Sequence, residues 1–412
     1  MNPFQLKPEK MTDAFMDWQQ LYPRSYDKRA VDPYTRVRVI LMNGTEFEAA
    51  GYSHQFQRHE ANNDLRRELA MMRRQEQQQQ KKIACLKPMD ETVLEHTIGY
   101  EQLAVDLTAG LAKRVTCAHV KSALDFALLE DFDHLYRYAD LLEMEHGEYA
   151  ERLVGGYTEI MPGRPTISEH RCPMDAICPP GKPDAQLFDK MAVQVITAAE
   201  QQTMNYYMNV CGLYTSDLGR KLYQEIGMIE EQHVTQYGSL MDPACTWLEG
   251  LLMHQYVETW LYWSCMEDET DPNVKKLWEN FFQLELAHLH KAAELLKTYE
   301  KKDWQQVIPG GEFPEPFLFE PNIEYVRQAL KMVDFTAEKE AFKPVNMLPK
   351  DYDFFVYQKA VNANVDAVPS HQVIDRSIRL RGKDYRAETA PSPIPALQNR
   401  TIDNTTLGRI YQ

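Results

Sequence analysis

The residues best placed to do chemistry are Glu230 and His233, an acid and an imidazole three positions apart in a segment (219–237) whose apolar residues recur at helical spacing. They share a stripe with Tyr223, Ile226 and Tyr237, so both polar side chains point where the apolar ones do. An ionised carboxylate facing a core is costly unless something compensates it. A divalent cation is the usual compensation, because side chains at (i, i+3) lie on one helix face and can share it. The pattern occurs twice. Asp131 and His134 stand on a stripe with Leu124, Leu128 and Tyr138, and a lone inward glutamate precedes each pair. Glu101 and Glu200 lie 30 residues before the acid and 33 before the histidine of their respective copies. Flanking residues repeat as well, Gln102 with Gln201 and Tyr138 with Tyr237. We read a duplicated helical hairpin that supplies four carboxylates and two imidazoles. Oxygen and imidazole donors without thiolate suit iron or manganese, and four carboxylates balance two divalent ions.

Four helices must carry these residues. The first begins near Met89-Asp90 and places Leu94, Ile98, Glu101 and Val105 on one side; after a turn near Arg114 the second carries Asp131 and His134. Glycines and prolines from Gly155 to Pro183 allow no helix before about Ala185, a crossover long enough to run the length of a bundle. The third helix carries Val193, Ile196, Glu200 and Tyr207, and the fourth Glu230 and His233. A further hairpin follows, opened at Asp242-Pro243 and Asp271-Pro272, with His254, Glu258, Glu285 and His288 inward. Glu258, Glu285 and His288 again form a lone acid followed by Glu-x-x-His, at 27 and 30 residues. Combined with Glu200, Glu230 and His233 they offer an alternative metal set, against which stand a register mismatch of roughly 12 Å at helical rise and the missing crossover.

The flanks read differently. Residues 1–54 form an arm in which β-branched 37–42, Asn43-Gly44 and 45–47 predict a β-hairpin. Residues 55–87 predict a connecting helix whose glutamine run at 75–80 is its solvated face. The bundle occupies 88–300, and 301–412 is an extended arm with one short helix at 323–332 and a proline-rich tail. Such arms imply a homo-oligomer. Glu143 and His146 form another Glu-x-x-His near a helix end, where His146 is read as a surface position or a helix-end interaction, and His170, Cys172 and Cys178 are read as loop residues. Forty-five basic against 61 acidic residues give a net charge of −16, which argues against nucleic acid and anionic membrane as partners. Seven scattered cysteines without a Cys-x-x-Cys pair, and no signal-like or membrane-length apolar stretch, predict a reducing cytoplasmic setting.

A lone Glu, a Glu-x-x-His about thirty residues on, a crossover and the same again resembles the ferritin-like di-iron carboxylate superfamily, across residues 88 to about 240. The resemblance implies an all-α fold: a ferritin-like four-helix bundle, here extended by a third helical hairpin and flanked by a small N-terminal β-hairpin and irregular terminal arms. It implies that Glu101, Asp131 and His134 bind one metal and Glu200, Glu230 and His233 the other, as two irons or a manganese–iron pair. Asp131 departs from the usual glutamate, which brings Glu130 and Asp133 into consideration. The implied activity is that of a non-haem oxidoreductase using dioxygen or peroxide, with electrons from an external donor or a reducing substrate. The alternatives are an iron-oxidising or peroxide-removing protein of the ferritin or rubrerythrin type, and a metal-free assembly protein.

Overall fold

Helix starts in this chain are set locally. Asp32, Asn62, Thr92, Ser216, Thr246 and Asp271 each accept a backbone N–H of the first turn, and Thr92 and Thr246 do so within capping boxes completed by Glu95 and Glu249. The computed structural model describes residues 1–164, 176–181, 185–333, 335–338 and 341–382. Among them are α1 (Pro33–His59), α2 (Asn63–Ala84), α3 (Val93–Arg114), α4 (Ala118–His146), α5 (Ala150–Leu153), α6 (Leu187–Leu213), α7 (Asp217–Gly238), α8 (Trp247–Asp268) and α9 (Pro272–Glu300). There follow α10 (Ile323–Ala329), strands β1 (Phe335–Glu338) and β2 (Ala341–Pro344), α11 (Asp353–Val361) and α12 (Pro369–Arg381). The strands pair antiparallel, Phe335 opposite Pro344. The protein is therefore mostly helical. No described helix is long and apolar enough to cross a membrane. His170, Cys172 and the tail beyond 382 lie outside the described residues.

The chain forms two compact units. The first comprises Met1–Glu91, Ala185–Gln202 and Asp242–Phe319; the second comprises Thr92–Asp184, Thr203–Met241 and Glu320–Gln412. Helix α6 thus contributes residues to both. In the first unit the hairpins α1–α2 and α8–α9 pack against each other, α1 on α8 and α2 on α9. In the second, α3 and α4 form one hairpin, α7 packs on α4, and α12 lies against both α4 and α7. A core of Val105, Ala109, Leu128, Leu129 and Phe132 is continued there by Val326, Leu330 and Val333 from the chain around α10.

Two expectations fail in the first unit. Residues 37–47 form no β-hairpin; they are the interior of α1. Asp32 caps it and Pro33 takes the first-turn position where its missing N–H costs nothing. Gly44, read as a turn residue, serves close packing: a Cβ there would stand 2.9 Å from Cβ of Gln202. The glutamine run is no solvated face either, because Gln75, Glu76 and Gln79 are buried on α2. One smaller correction concerns α8, which opens at its Thr246 cap rather than at Asp242-Pro243.

Half-buried Glu48 on α1 meets buried His254 on α8 at 3.1 Å. By distance this is an ion pair, yet burial keeps both groups neutral. Burial, then the charge of Glu76, raises the Glu48 carboxyl to about 8, and burial lowers His254 to about 3. The signs then follow. A raised carboxyl stabilises the fold below its unfolded value of about 4.3 and loses that contribution as pH rises towards 8; a lowered histidine loses its contribution as pH falls below about 6.5. The two effects oppose each other under acid, leaving a net decline from about pH 6.5 to 8. All six tryptophans belong to the first unit, so their fluorescence follows it selectively. Across that window the denaturation midpoint read by tryptophan should fall in the wild type. The component from Glu48 should be missing in Glu48→Gln, and an unchanged slope would refute the neutral pair.

Candidate metal centre

Glu101 on α3, Glu130, Asp131 and His134 on α4, and Glu230 and His233 on α7 are all essentially inaccessible to solvent. Within the second unit they converge. Glu230 stands between the two imidazoles: His134 Nδ1 is 3.1 Å from its Oε1 and His233 Nδ1 is 3.1 Å from its Oε2. Donor atoms of Glu101, His134 and Glu230 lie within 4.8 Å of one another, close enough to share one cation. Asp131 Oδ1 lies 3.2 Å from His233 Nδ1, which brings a second carboxylate to the other imidazole. Glu200 is buried on α6, in the part of that helix belonging to the first unit.

The electrostatics are those of a site short of positive charge. Burial pushes Glu230 up, but the hydrogen bond from His134 and the nearness of both imidazoles outweigh it and hold the carboxyl at about 2. Burial pushes His134 down, and its hydrogen bond to Glu230 and the charges of Glu230 and Asp131 raise it in net. Asp131 is raised, chiefly by burial, against the pull of His233. Polar atoms remain unmatched: both oxygens of Asp131, Glu230 Oε2 and His134 Nε2 have no hydrogen-bond partner among the described residues. Buried acceptors without donors are expensive, and a hard divalent cation satisfies carboxylate and imidazole lone pairs together. The donor set could therefore hold a metal ion.

Neighbouring groups settle which acids are available. Asp133 is taken: Arg137 Nε donates to it at 2.9 Å and the Gly163 backbone N–H at 2.9 Å. The loop reaches α4 that closely because residue 163 is glycine, since a Cβ there would lie 2.4 Å from the Leu129 carbonyl oxygen. Glu130 faces inward, with Oε2 2.8 Å from His233 Nε2 and Oε1 3.7 Å from buried Arg164. Arg164 is itself anchored by donating to the Phe126 carbonyl. Asp131 thus keeps its place beside His233, and Glu130 touches the opposite edge of that ring. Glu143 is buried and paired with Arg381, and His146 is exposed at the end of α4.

Tyr207 is a site residue that spacing alone did not single out. Its hydroxyl donates to Glu101 Oε1, and its ring packs 5.2 Å from Tyr138 and 5.5 Å from Tyr223. Only its place on the Glu200 stripe hinted at an inward position. Groups that hydrogen-bond a metal ligand commonly affect affinity by about 10–100-fold. Tyr207→Phe should therefore weaken metal binding by roughly that factor while the protein stays folded. Competition with a chelator would measure it, and an unchanged affinity would reduce Tyr207 to packing. The rings of Tyr138 and Tyr237 are fully buried.

No family model, curated protein or solved structure matches the chain. Its chemistry is therefore read from its own residues. Glu258, Glu285 and His288 come together in the first unit, among α1 and α2 residues described below.

Proposed function

We propose that the second unit is a ferritin-like carboxylate centre for two iron or manganese ions, and that the protein is a non-haem oxidoreductase using dioxygen or peroxide. The observation that carries this reading is the meeting of buried acids and imidazoles around Glu230, where both oxygens of Asp131 have no hydrogen-bond partner among the described residues. When bound, the paired metals supply open coordination positions for an oxygen species and the electrons that reduce it.

The chain's own residues divide the remaining work. Glu230, 3.1 Å from both imidazoles, would help hold the metal together with His134 and His233. Glu130 accepts a proton-bearing Nε2 from His233, which fixes the tautomer and leaves Nδ1 facing Glu230 and Asp131. Tyr207 orients Glu101 by donating to one oxygen. Glu200 occupies in its hairpin the position of Glu101 in the other, 30 residues before the acid. Apolar residues around α10 and α4 exclude water from this end of the unit. Electrons come from a partner or from the substrate, since the sequence has neither rubredoxin-like cysteine pairs nor a nucleotide-binding motif.

Anaerobic loading with ferrous iron followed by exposure to oxygen tests the reading. Oxygen uptake that stops after one filling and resumes with added reductant supports an oxidoreductase. Continuing iron uptake into a mineral core would support the iron-storing alternative, and no oxygen uptake by the iron-loaded protein would overturn the proposal.

A further inference from the structure

The first unit contains the same hairpin a third time. Glu46 on α1 precedes Glu76 and Gln79 on α2 by 30 and 33 residues, the intervals of Glu101, Asp131 and His134 and of Glu200, Glu230 and His233. Gln79 stands where both of those copies have histidine. Helices α8 and α9 complete the unit with Glu258, Glu285 and His288. All seven of Glu46, Glu76, Gln79, Gln255, Glu258, Glu285 and His288 are essentially inaccessible to solvent.

Two amides join these carboxylates across the unit. Gln79 Nε2 donates to Glu46 Oε1 at 3.0 Å and to Glu285 Oε1 at 2.8 Å; Gln255 Nε2 donates to Glu76 Oε1 at 3.0 Å and to Glu258 Oε2 at 2.8 Å. Each amide nitrogen therefore links one acid of the α1–α2 hairpin to one acid of the α8–α9 hairpin, the connection a bridging cation would make. Gln75 fixes the histidine. Its amide nitrogen donates to the Met11 carbonyl, so its oxygen accepts from His288 Nε2 at 3.0 Å, and His288 Nδ1 turns to Glu285 at 3.1 Å. Tyr262 donates to Glu46.

We infer that the first unit holds a second copy of the carboxylate centre, closed by two glutamine amides in the place of cations. Glu46 Oε2, Glu76 Oε2, Glu258 Oε1, Glu285 Oε2 and the oxygens of Gln79 and Gln255 have no hydrogen-bond partner among the described residues. Burial and mutual repulsion raise Glu46 and Glu258 well above the usual range, and burial raises Glu76 to about 7. An amide carries no charge, so it can join two buried acids by hydrogen bonds but cannot offset their charge as a cation does.

The test uses the full chain with Glu230→Ala and His233→Ala, so that the second unit takes up no metal, and manganese(II) alone as the probe. Circular dichroism confirms folding, and loss of the free-ion electron paramagnetic resonance signal reads binding. We expect no stoichiometric uptake in this background. Gln79→His restores the ligand type of the other copies and Gln79→Glu adds a fifth carboxylate; at least one should gain about one manganese per chain, abolished by adding Glu285→Ala. Stoichiometric uptake in the background that Glu285→Ala removes would overturn the inference, because the amide-closed site would then already accept a cation. Failure of both folded Gln79 variants to gain metal would also overturn it, since the amide would hold no cation's place. Neither result depends on the chemistry proposed for the second unit.

Discussion

Replacing Glu230 and His233 together by alanine should abolish stoichiometric metal binding and leave the helices folded. Both side chains lie within 3.2 Å of other members of the cluster: Glu230 meets both imidazoles and His233 meets Asp131 as well. Their removal leaves His134, Asp131 and Glu101 without the acid that stands between the imidazoles. The fold should survive because α7 remains buried through Leu222, Tyr223, Ile226 and Tyr237, each such side chain contributing about 1.5–3 kcal/mol. The change also removes an anion that burial disfavours. The expected result is a fall from about two bound metals per chain to none at unchanged helical circular dichroism. Two metals retained by the double variant would refute the assignment.

The second large effect is on stability. Arg38 on α1 is buried and donates to Glu269 through Nε at 3.0 Å and Nη2 at 3.1 Å, and to Asp268 through Nη1 at 2.7 Å. Glu269 closes α8 and also accepts from Trp278 Nε1 and from the backbone N–H groups of Thr270 and Asp271. The pair thus ties α1 to the turn between α8 and α9. Burial would raise Glu269, but the hydrogen bond and charge of Arg38 hold it low. Arg38→Met leaves that carboxylate buried without its cation, and breaking a buried pair from one side costs about 3–5 kcal/mol. Arg38→Lys keeps the charge but loses the two-pronged geometry, so its cost should be intermediate. Tryptophan fluorescence during denaturation measures both variants, because every tryptophan lies in the first unit. A cost below about 1 kcal/mol for Arg38→Met, the scale of an exposed pair, would show that the pair is not effectively buried.

The candidate residues of the duplicated hairpin could be read from equal intervals, which survive wherever two helices and a short turn survive. The third copy was not legible, for two physical reasons. Gln79 replaces the histidine that marks the motif, so glutamines 77–80 looked like solvated polar sequence. Val37–Met42 followed by Asn43-Gly44 carries strong β-hairpin signals, and tertiary packing overrode them: the glycine that suggests a turn is what lets Gln202 approach α1. The interval between Glu46 and Glu76 was the available signal. The role of Glu130 depends on which edge of His233 it meets, a matter of side-chain direction that spacing along α4 does not determine.

Grouping into two units was harder still to read. Hairpins α1–α2 and α8–α9 lie far apart in sequence yet pack together. Periodicity identifies which face of a helix is apolar but not which distant helix covers it. Glu258, Glu285 and His288 accordingly looked like an alternative to the earlier candidate ligands, when their hydrogen-bonded neighbours include Gln79 and Gln255, the latter also donating to Glu76.

Metal content tests the central claim most directly. The protein should be purified without chelator or immobilised metal, analysed for elements, and its absorption spectrum recorded before reduction, after it, and after re-exposure to air. The account predicts about two irons, or iron with manganese, per chain, and a charge-transfer band that bleaches on reduction and returns in air. Absence of stoichiometric metal, even after anaerobic reconstitution of folded protein, would contradict it.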